Sequence, residues 1–310
     1  MRSLSTFAAI LLVAAAPRFL HAQARSESNV VYGMYSGSAL LLDVHYPAAP
    51  NGYGIVFVPG NAWHEPLSFD AEPLKGAISD RAFMGADALL ENGYTLFSIN
   101  YRSAPGFRYP AAVEDAQRAV RYVRYHAALY GIDPNRIGVI GHSSGGHLAS
   151  MLGVLDGDGD PEDLNPINQE SSNVQAVVAL AGAGDLTAFA TGTDGDRTAV
   201  SSFIGTYLAF FRTPESQRQE LSLYAAASPS SYVSPDDPPF LLVHGDKDTV
   251  VPFSQSELFH QKLADGGVTV ELIRIPSGDH FLASSEFDVA VPDYMSAMVE
   301  WFDRFLVNQR

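Results

Sequence analysis

Gly141-His142-Ser143-Ser144-Gly145 places two serines between two glycines, Ser143 at the centre, directly after the apolar run Ile137 to Ile140 and before a helix-compatible stretch. A serine hydroxyl is a poor nucleophile in water. It becomes reactive when it stands exposed on a tight strand-to-helix turn, near a base and near the helix N-terminus. Flanking glycines let the backbone pack that closely. The pattern predicts Ser143 as the nucleophile of an acyl transfer. The N–H of Ser144 then becomes one donor to the oxyanion that forms on attack.

Such a serine takes its acid, and then its histidine, from further along the chain. Of nine histidines, four follow Ser143: His147, on the helical stretch directly after it, and His244, His260 and His280 further along. His244 ends the apolar run Phe240 to His244, and His260 falls inside a helical pattern. His280 lies in Pro276-Ser277-Gly278-Asp279-His280-Phe281, a loop just past the last expected strand, and is the better base. His142 and His147 read as packing or supporting residues, with His142 also a candidate to line a substrate pocket. Asp246 and Asp248 both follow the run that ends at His244. Asp246 suits a turn, where Asp bonds its own backbone. Asp248 is the expected acid, accepting the imidazole N–H and stabilising the imidazolium. Further oxyanion donors are expected in the loop Pro59-Gly60-Asn61-Ala62-Trp63, after the apolar run Ile55 to Val58.

These residues need a scaffold that carries strand ends to one rim. Short apolar runs at 55–58, 95–101, 137–140, 174–181, 240–244 and 268–275 read as strands, and Ile55 to Val58 suits a strand buried on both faces. Leu40 to Tyr46 reads as another strand. Helices are expected over 81–92, from Pro110 to Gly131, and over 147–155, 255–264 and 294–306. The second has Val113, Ala116, Val120, Val123 and Ala127 at helical spacing. This alternation predicts an α/β fold: a mostly parallel central sheet with helices on both faces. One domain is expected over 39–310, with insertions near 64–80 and 184–226 that would shape a cleft. The polar residues 25–38 read as a loose N-terminal lead-in.

Residues 1–24 read as a signal peptide. Arg2 precedes the apolar run Phe7 to Ala16, which is too short to span a bilayer, and Ala22-Gln23-Ala24 offers a small-residue cleavage site. The expected location is secreted or periplasmic, with no membrane span after signal removal. A formal charge of -16 repels nucleic acid, and the absence of cysteine excludes disulfides, thiolate metal sites and a cysteine nucleophile. Asp156 to Asp163 (DGDGDPED) resembles a calcium loop at first sight. Pro161 and Ile167 stand where Gly and Glu are needed, so it reads as a solvated acidic loop.

At longer range the chain resembles the α/β-hydrolases related to feruloyl and carbohydrate acetyl esterases, and the hormone-sensitive-lipase group. The likeness rests on Asn100-Tyr101-Arg102, Tyr109 to Asp115, Gly131 to Ile137, and Gly141 to Ala149. It extends to Ala227-Ser228-Pro229, Pro238-Pro239-Phe240, His244 to Asp248 and the loop of His280, and covers roughly residues 35 to 307. It implies an α/β-hydrolase fold and a serine carboxylesterase with no metal or organic cofactor. It points to Ser143, Asp248 and His280 as well. One departure stands out. The family usually carries His-Gly-Gly-Gly-Trp at the oxyanion loop, and here Pro59 replaces the His, Asn61 the second Gly and Ala62 the third. Backbone donors survive, so Asn61 and Ala62 inherit the role beside Ser144. Trp63 is retained and is a candidate for lining the pocket.

The expected function is cleavage of small acyl, carbohydrate or aromatic esters through an acyl-enzyme. An amidase, formamidase-like or peptidase-like hydrolase would use the same three residues. A non-catalytic binding protein on the same fold would ordinarily have lost one of them. Phe203 to Phe211 could line an acyl or sugar pocket or serve the core. A long-chain lipase is less attractive, because no amphipathic lid is evident.

Overall fold

The computed structural model of the chain describes residues 25–64, 85–195, 197–206, 213–285 and 290–308. Its strands are β1 (Arg25–Tyr35), β2 (Ser38–Tyr46), β3 (Gly54–Val58), β4 (Thr95–Ile99), β5 (Ile137–His142), β6 (Ala176–Leu180), β7 (Phe240–Gly245) and β8 (Val270–Ile275). They form one sheet in the order β1-β2-β4-β3-β5-β6-β7-β8. From β4 to β8 every neighbouring pair is parallel, while β1 and β2 are antiparallel additions at one edge. The helices are α1 (Ala86–Glu91), α2 (Ala111–Tyr125), α3 (Ala127–Tyr130), α4 (Ser144–Val154), α5 (Leu186–Thr191), α6 (Arg197–Ile204), α7 (Pro214–Ala226), α8 (Ser254–Asp265) and α9 (Tyr294–Phe302).

The continuous apolar runs are explained by two-sided burial. Every residue of β3 to β7 is buried. Val56, Val58, Val139, Val177 and Leu242 share one cluster with Ala116 and Val120 of α2, Leu148 of α4 and Phe259 of α8. Ile55, Phe57, Ile140, Val178 and Leu241 meet Leu89 of α1 and Met298 and Phe302 of α9 on the other face. Burial of each such side chain contributes roughly 1.5–3 kcal/mol relative to exposure. The helices therefore cover both faces, as the alternation predicts. Arg102, just past β4, is clamped to Asp115 of α2: its backbone N–H and guanidinium both reach the carboxylate, at 2.7 Å each.

Residues 25–38 depart from expectation. The polar stretch is mostly strand β1, paired along β2. Its polarity reflects an edge strand that faces solvent on most sides, and its register shifts near Glu27 and Val31 are edge features of the kind that discourage further pairing. Tyr32 anchors it, buried, with its hydroxyl donating to Asn100 O at 2.6 Å. The helix expected from His147 begins three residues earlier, at Ser144. The segment 184–226 contributes α5, α6 and α7. The leader at 1–24 and most of the 64–80 insertion lie outside the described residues. In the acidic loop, Asp156, Asp160 and Asp163 each accept the N–H two residues on, which is turn capping.

Candidate active site

Ser143 sits between β5 and α4 with φ 56° and ψ -123°, a conformation that L-residues rarely adopt. Its N–H donates to Leu180 O at the end of β6, and its carbonyl accepts from His147 at 3.0 Å. The flanking glycines are required by contact. A Cβ on Gly141 would lie 2.2 Å from Gly145 O, and one on Gly145 would lie 2.0 Å from Val58 O. The turn thus presses against both its own helix and the end of β3, lifting the hydroxyl at the C-terminal rim of the sheet.

The structure brings the three expected side chains together. His280 Nε2 lies 2.9 Å from Ser143 Oγ, and His280 Nδ1 lies 2.7 Å from Asp248 Oδ2. The carboxylate can only accept, so Nδ1 carries the proton and Nε2 is left to receive the serine O–H. Asp248 and His280 are each about one-tenth exposed. Asp248 Oδ1 also accepts the N–H groups of Val250 and Val251, at 2.8 and 2.9 Å. Burial opposes the charge, but hydrogen bonds from His244 and His280 overcome it and hold the Asp248 carboxyl well below the usual carboxylate range. Asp246 serves the frame, as its turn position suggests: it accepts from Ser277 N–H at 2.8 Å and pairs with Arg274 at 2.6 Å, which ties the start of the His280 loop to β8.

The oxyanion loop differs in detail. Asn61 N–H does not stand open to a ligand, because it donates to Ser144 Oγ at 2.9 Å. Tyr101 OH reaches Asn61 Oδ1 at 2.5 Å and Ser144 Oγ at 3.4 Å, so Asn61, which replaces a family glycine, joins a hydroxyl-amide brace. Ala62 and Trp63 both take positive φ, 58° and 54°. The N–H groups of Ala62 and Ser144 have no protein acceptor among the described residues.

Trp63 and His142 are buried supports rather than pocket walls. Trp63 is 3% exposed, stacks on Phe203 of α6 at 4.9 Å, and donates its indole N–H to His147 Nδ1. His147 Nε2 donates to Ala227 O at 2.7 Å, which fixes its neutral tautomer. His142 is 2% exposed, and its Nε2 donates to the backbone carbonyl of His280 at 2.8 Å. Burial pushes both His142 and His147 down to about 4. Part of the expected 203–211 aromatic stretch lies outside the described residues; Phe203 itself is core.

His244 is a contact of the acid that sequence reasoning missed. Its Nε2 lies 3.1 Å from Asp248 Oδ2, the oxygen that also receives His280. The available signal was its position four residues before Asp248, on a strand end that turns straight into the acid's loop.

The chain is similar in sequence and in fold to proteins named as esterases. The sequence model of the BD-FAE family matches residues 42–263. Esterase LipQ of Mycobacterium tuberculosis is 30% identical over 288 residues, covering 91% of this chain. The chain spans 59–62% of the length of the first curated relatives it matches. A solved truncated carbohydrate esterase from gut microbiota superposes with a TM-score of 0.73 at 28% identity, over 93% of this chain and 99% of its own. An acetyl ester-xyloside bifunctional hydrolase from Caldicellulosiruptor lactoaceticus gives 0.68 at 26% identity, over 89% and 96%. Fold, motif order and these likenesses converge: the chain has the α/β-hydrolase fold and belongs to the BD-FAE family.

Proposed function

We propose that the protein is a serine carboxylesterase acting on small acyl esters, in particular acetyl esters of carbohydrate. The observation that carries this reading is the continuous chain of contacts from Ser143 Oγ through His280 to Asp248. His280 Nε2 takes the serine proton as Oγ attacks the ester carbonyl. The carbonyl oxygen gains its charge facing the N–H groups of Ala62 and Ser144. The tetrahedral adduct collapses, and the alcohol leaves with the proton from His280. Water, deprotonated by the same nitrogen, then cleaves the acyl-enzyme and releases the acid. The carbohydrate and acetyl chemistry is supported by what the two solved relatives are named for. The leader-like residues 1–24 support export to the periplasm or medium, where such esters are met.

The test is hydrolysis of p-nitrophenyl acetate, acetylated xylan, methyl ferulate and a matched acetanilide, by wild type and Ser143→Ala. Wild type is expected to cleave the acetyl esters far faster than the anilide, and Ser143→Ala to cleave none of them while keeping its fold. Preference for the anilide would make the protein an amidase. Near-wild-type turnover by Ser143→Ala would remove the serine from the mechanism.

A further inference from the structure

Four donors converge on one carboxylate in this site, and only His280 among them belongs to the three-residue relay. Asp248 Oδ1 is filled by two backbone N–H groups, and Oδ2 receives both His280 and His244. His244 is fully buried, and both of its ring nitrogens have hydrogen-bond partners. Nε2 faces two acceptors, Asp248 Oδ2 at 3.1 Å and Val251 O at 2.9 Å, so it must carry a proton. Nδ1 lies 2.6 Å from Ser256 Oγ of α8, a hydroxyl that can turn its hydrogen toward the ring. One Nε2–H shared between Asp248 Oδ2 and Val251 O, with Nδ1 accepting from Ser256, satisfies the ring, which bridges β7, the acid's loop and α8.

We propose that His244 is a positioning residue: its Nε2–H pins the Asp248 carboxylate in the orientation from which Oδ2 can align the His280 ring. Without His244, Oδ2 is held by His280 alone, and only the two N–H groups on Oδ1 oppose a rotation about χ2 that would carry the base away from Ser143. With Oδ2 tethered from the strand side, the line from Asp248 through His280 to Ser143 stays fixed. The inference rests on the esterase reading for its kinetic consequence but not for its structural one. The titratable groups around this couple are His142, whose ring centre is 4.9 Å from that of His280, and the Asp246–Arg274 pair. Arg274 is separated from His244 by the ring of Phe253.

Two variants and one spectrum test it. With p-nitrophenyl acetate, His244→Ala is expected to lower kcat about tenfold or more, leave KM within about twofold, and displace the acid limb of the kcat/KM profile. His244→Gln can place an amide N–H where Nε2 stood and is expected to recover kcat to within about threefold of wild type. Wild-type kcat and an unmoved profile in His244→Ala would overturn the proposal. So would a His244→Gln variant that folds as wild type does and is as slow as the alanine variant. Should His244→Ala not fold, the glutamine variant and the spectrum decide. In wild-type protein labelled with 15N-histidine, His244 is expected to carry a proton on Nε2. An Nδ1–H tautomer could not donate to Asp248 and would sink the proposal. The spectrum needs no turnover, so a wild type that cleaves no ester would refute the esterase reading while leaving this inference separately judged.

Discussion

Trp63 donates its indole N–H to Nδ1 of His147 over 3.1 Å, so the oxyanion loop is fastened to the helix that begins immediately after the nucleophile. The other ring nitrogen of His147 holds Ala227 O, at the end of α7. Three segments distant in sequence are thereby locked around one buried imidazole. Trp63→Phe keeps an aromatic ring against Phe203 but leaves Nδ1 buried without a donor. The expected cost is about 1–3 kcal/mol, read as a lower urea midpoint with an unchanged slope. A fall in kcat is expected to accompany it, because the loop of Ala62 loses its anchor. Unchanged stability would show that the bond contributes nothing.

Stability should decline in mild acid. His142 and His147 are depressed by burial from an ordinary 6.5 to about 4 in the folded protein. A histidine kept neutral by folding contributes full stability above 6.5 and loses it as pH falls from there toward about 4. Below that, both folded and unfolded forms are protonated. Each group then accounts for a loss on the order of 3 kcal/mol across the window. His142→Gln is expected to flatten the pH dependence of the unfolding free energy between pH 6.5 and 4 by about one proton's worth. An identical slope in wild type and variant would contradict the assignment.

Asp248→Asn preserves shape while replacing an acceptor that must receive two ring N–H groups. The amide is free to present its NH2 to His280 and favour the wrong tautomer, with the proton on Nε2 facing Ser143. Steady-state kinetics on p-nitrophenyl acetate should show kcat reduced by roughly 10³–10⁴-fold with little change in KM. A reduction of tenfold or less would mean that another group orients the base.

Gly145→Ala tests whether the turn is as tight as its contacts imply. The added methyl would meet Val58 O at 2.0 Å and Pro59 backbone atoms at 2.8 Å, none of which can move without shifting β3 and the oxyanion loop. The expected result is a loss of about 3 kcal/mol or more, or failure to accumulate folded protein, measured by soluble yield and thermal unfolding. Wild-type stability would require a looser elbow than the structure describes.

The sequence was most legible where local chemistry and burial coincide. Strands β3 to β7 are mostly apolar because both faces are covered, and Gly141 and Gly145 mark a turn with no room for a side chain at either position. Ser143, Asp248 and His280 were readable because each follows a strand on the same rim. β1 was hidden because an edge strand has little apolar face to declare itself. His244 was hidden because its role depends on a carboxylate folding back over it, and a strand-ending histidine looks like packing. Trp63 and His142 carry side chains that suit a pocket, yet three-dimensional packing turned both inward. The diversion of Asn61 N–H to Ser144 Oγ is a contact between residues 83 positions apart, with no local trace.

The central claim is that His280 and the strained turn make Ser143 unusually reactive. Incubation with a serine-reactive phosphonate, followed by peptide mass spectrometry, measures that directly. Stoichiometric modification confined to Ser143, abolished in Ser143→Ala and strongly slowed in His280→Ala, is the predicted result. No labelling of Ser143, or labelling equally fast without His280, would contradict the account.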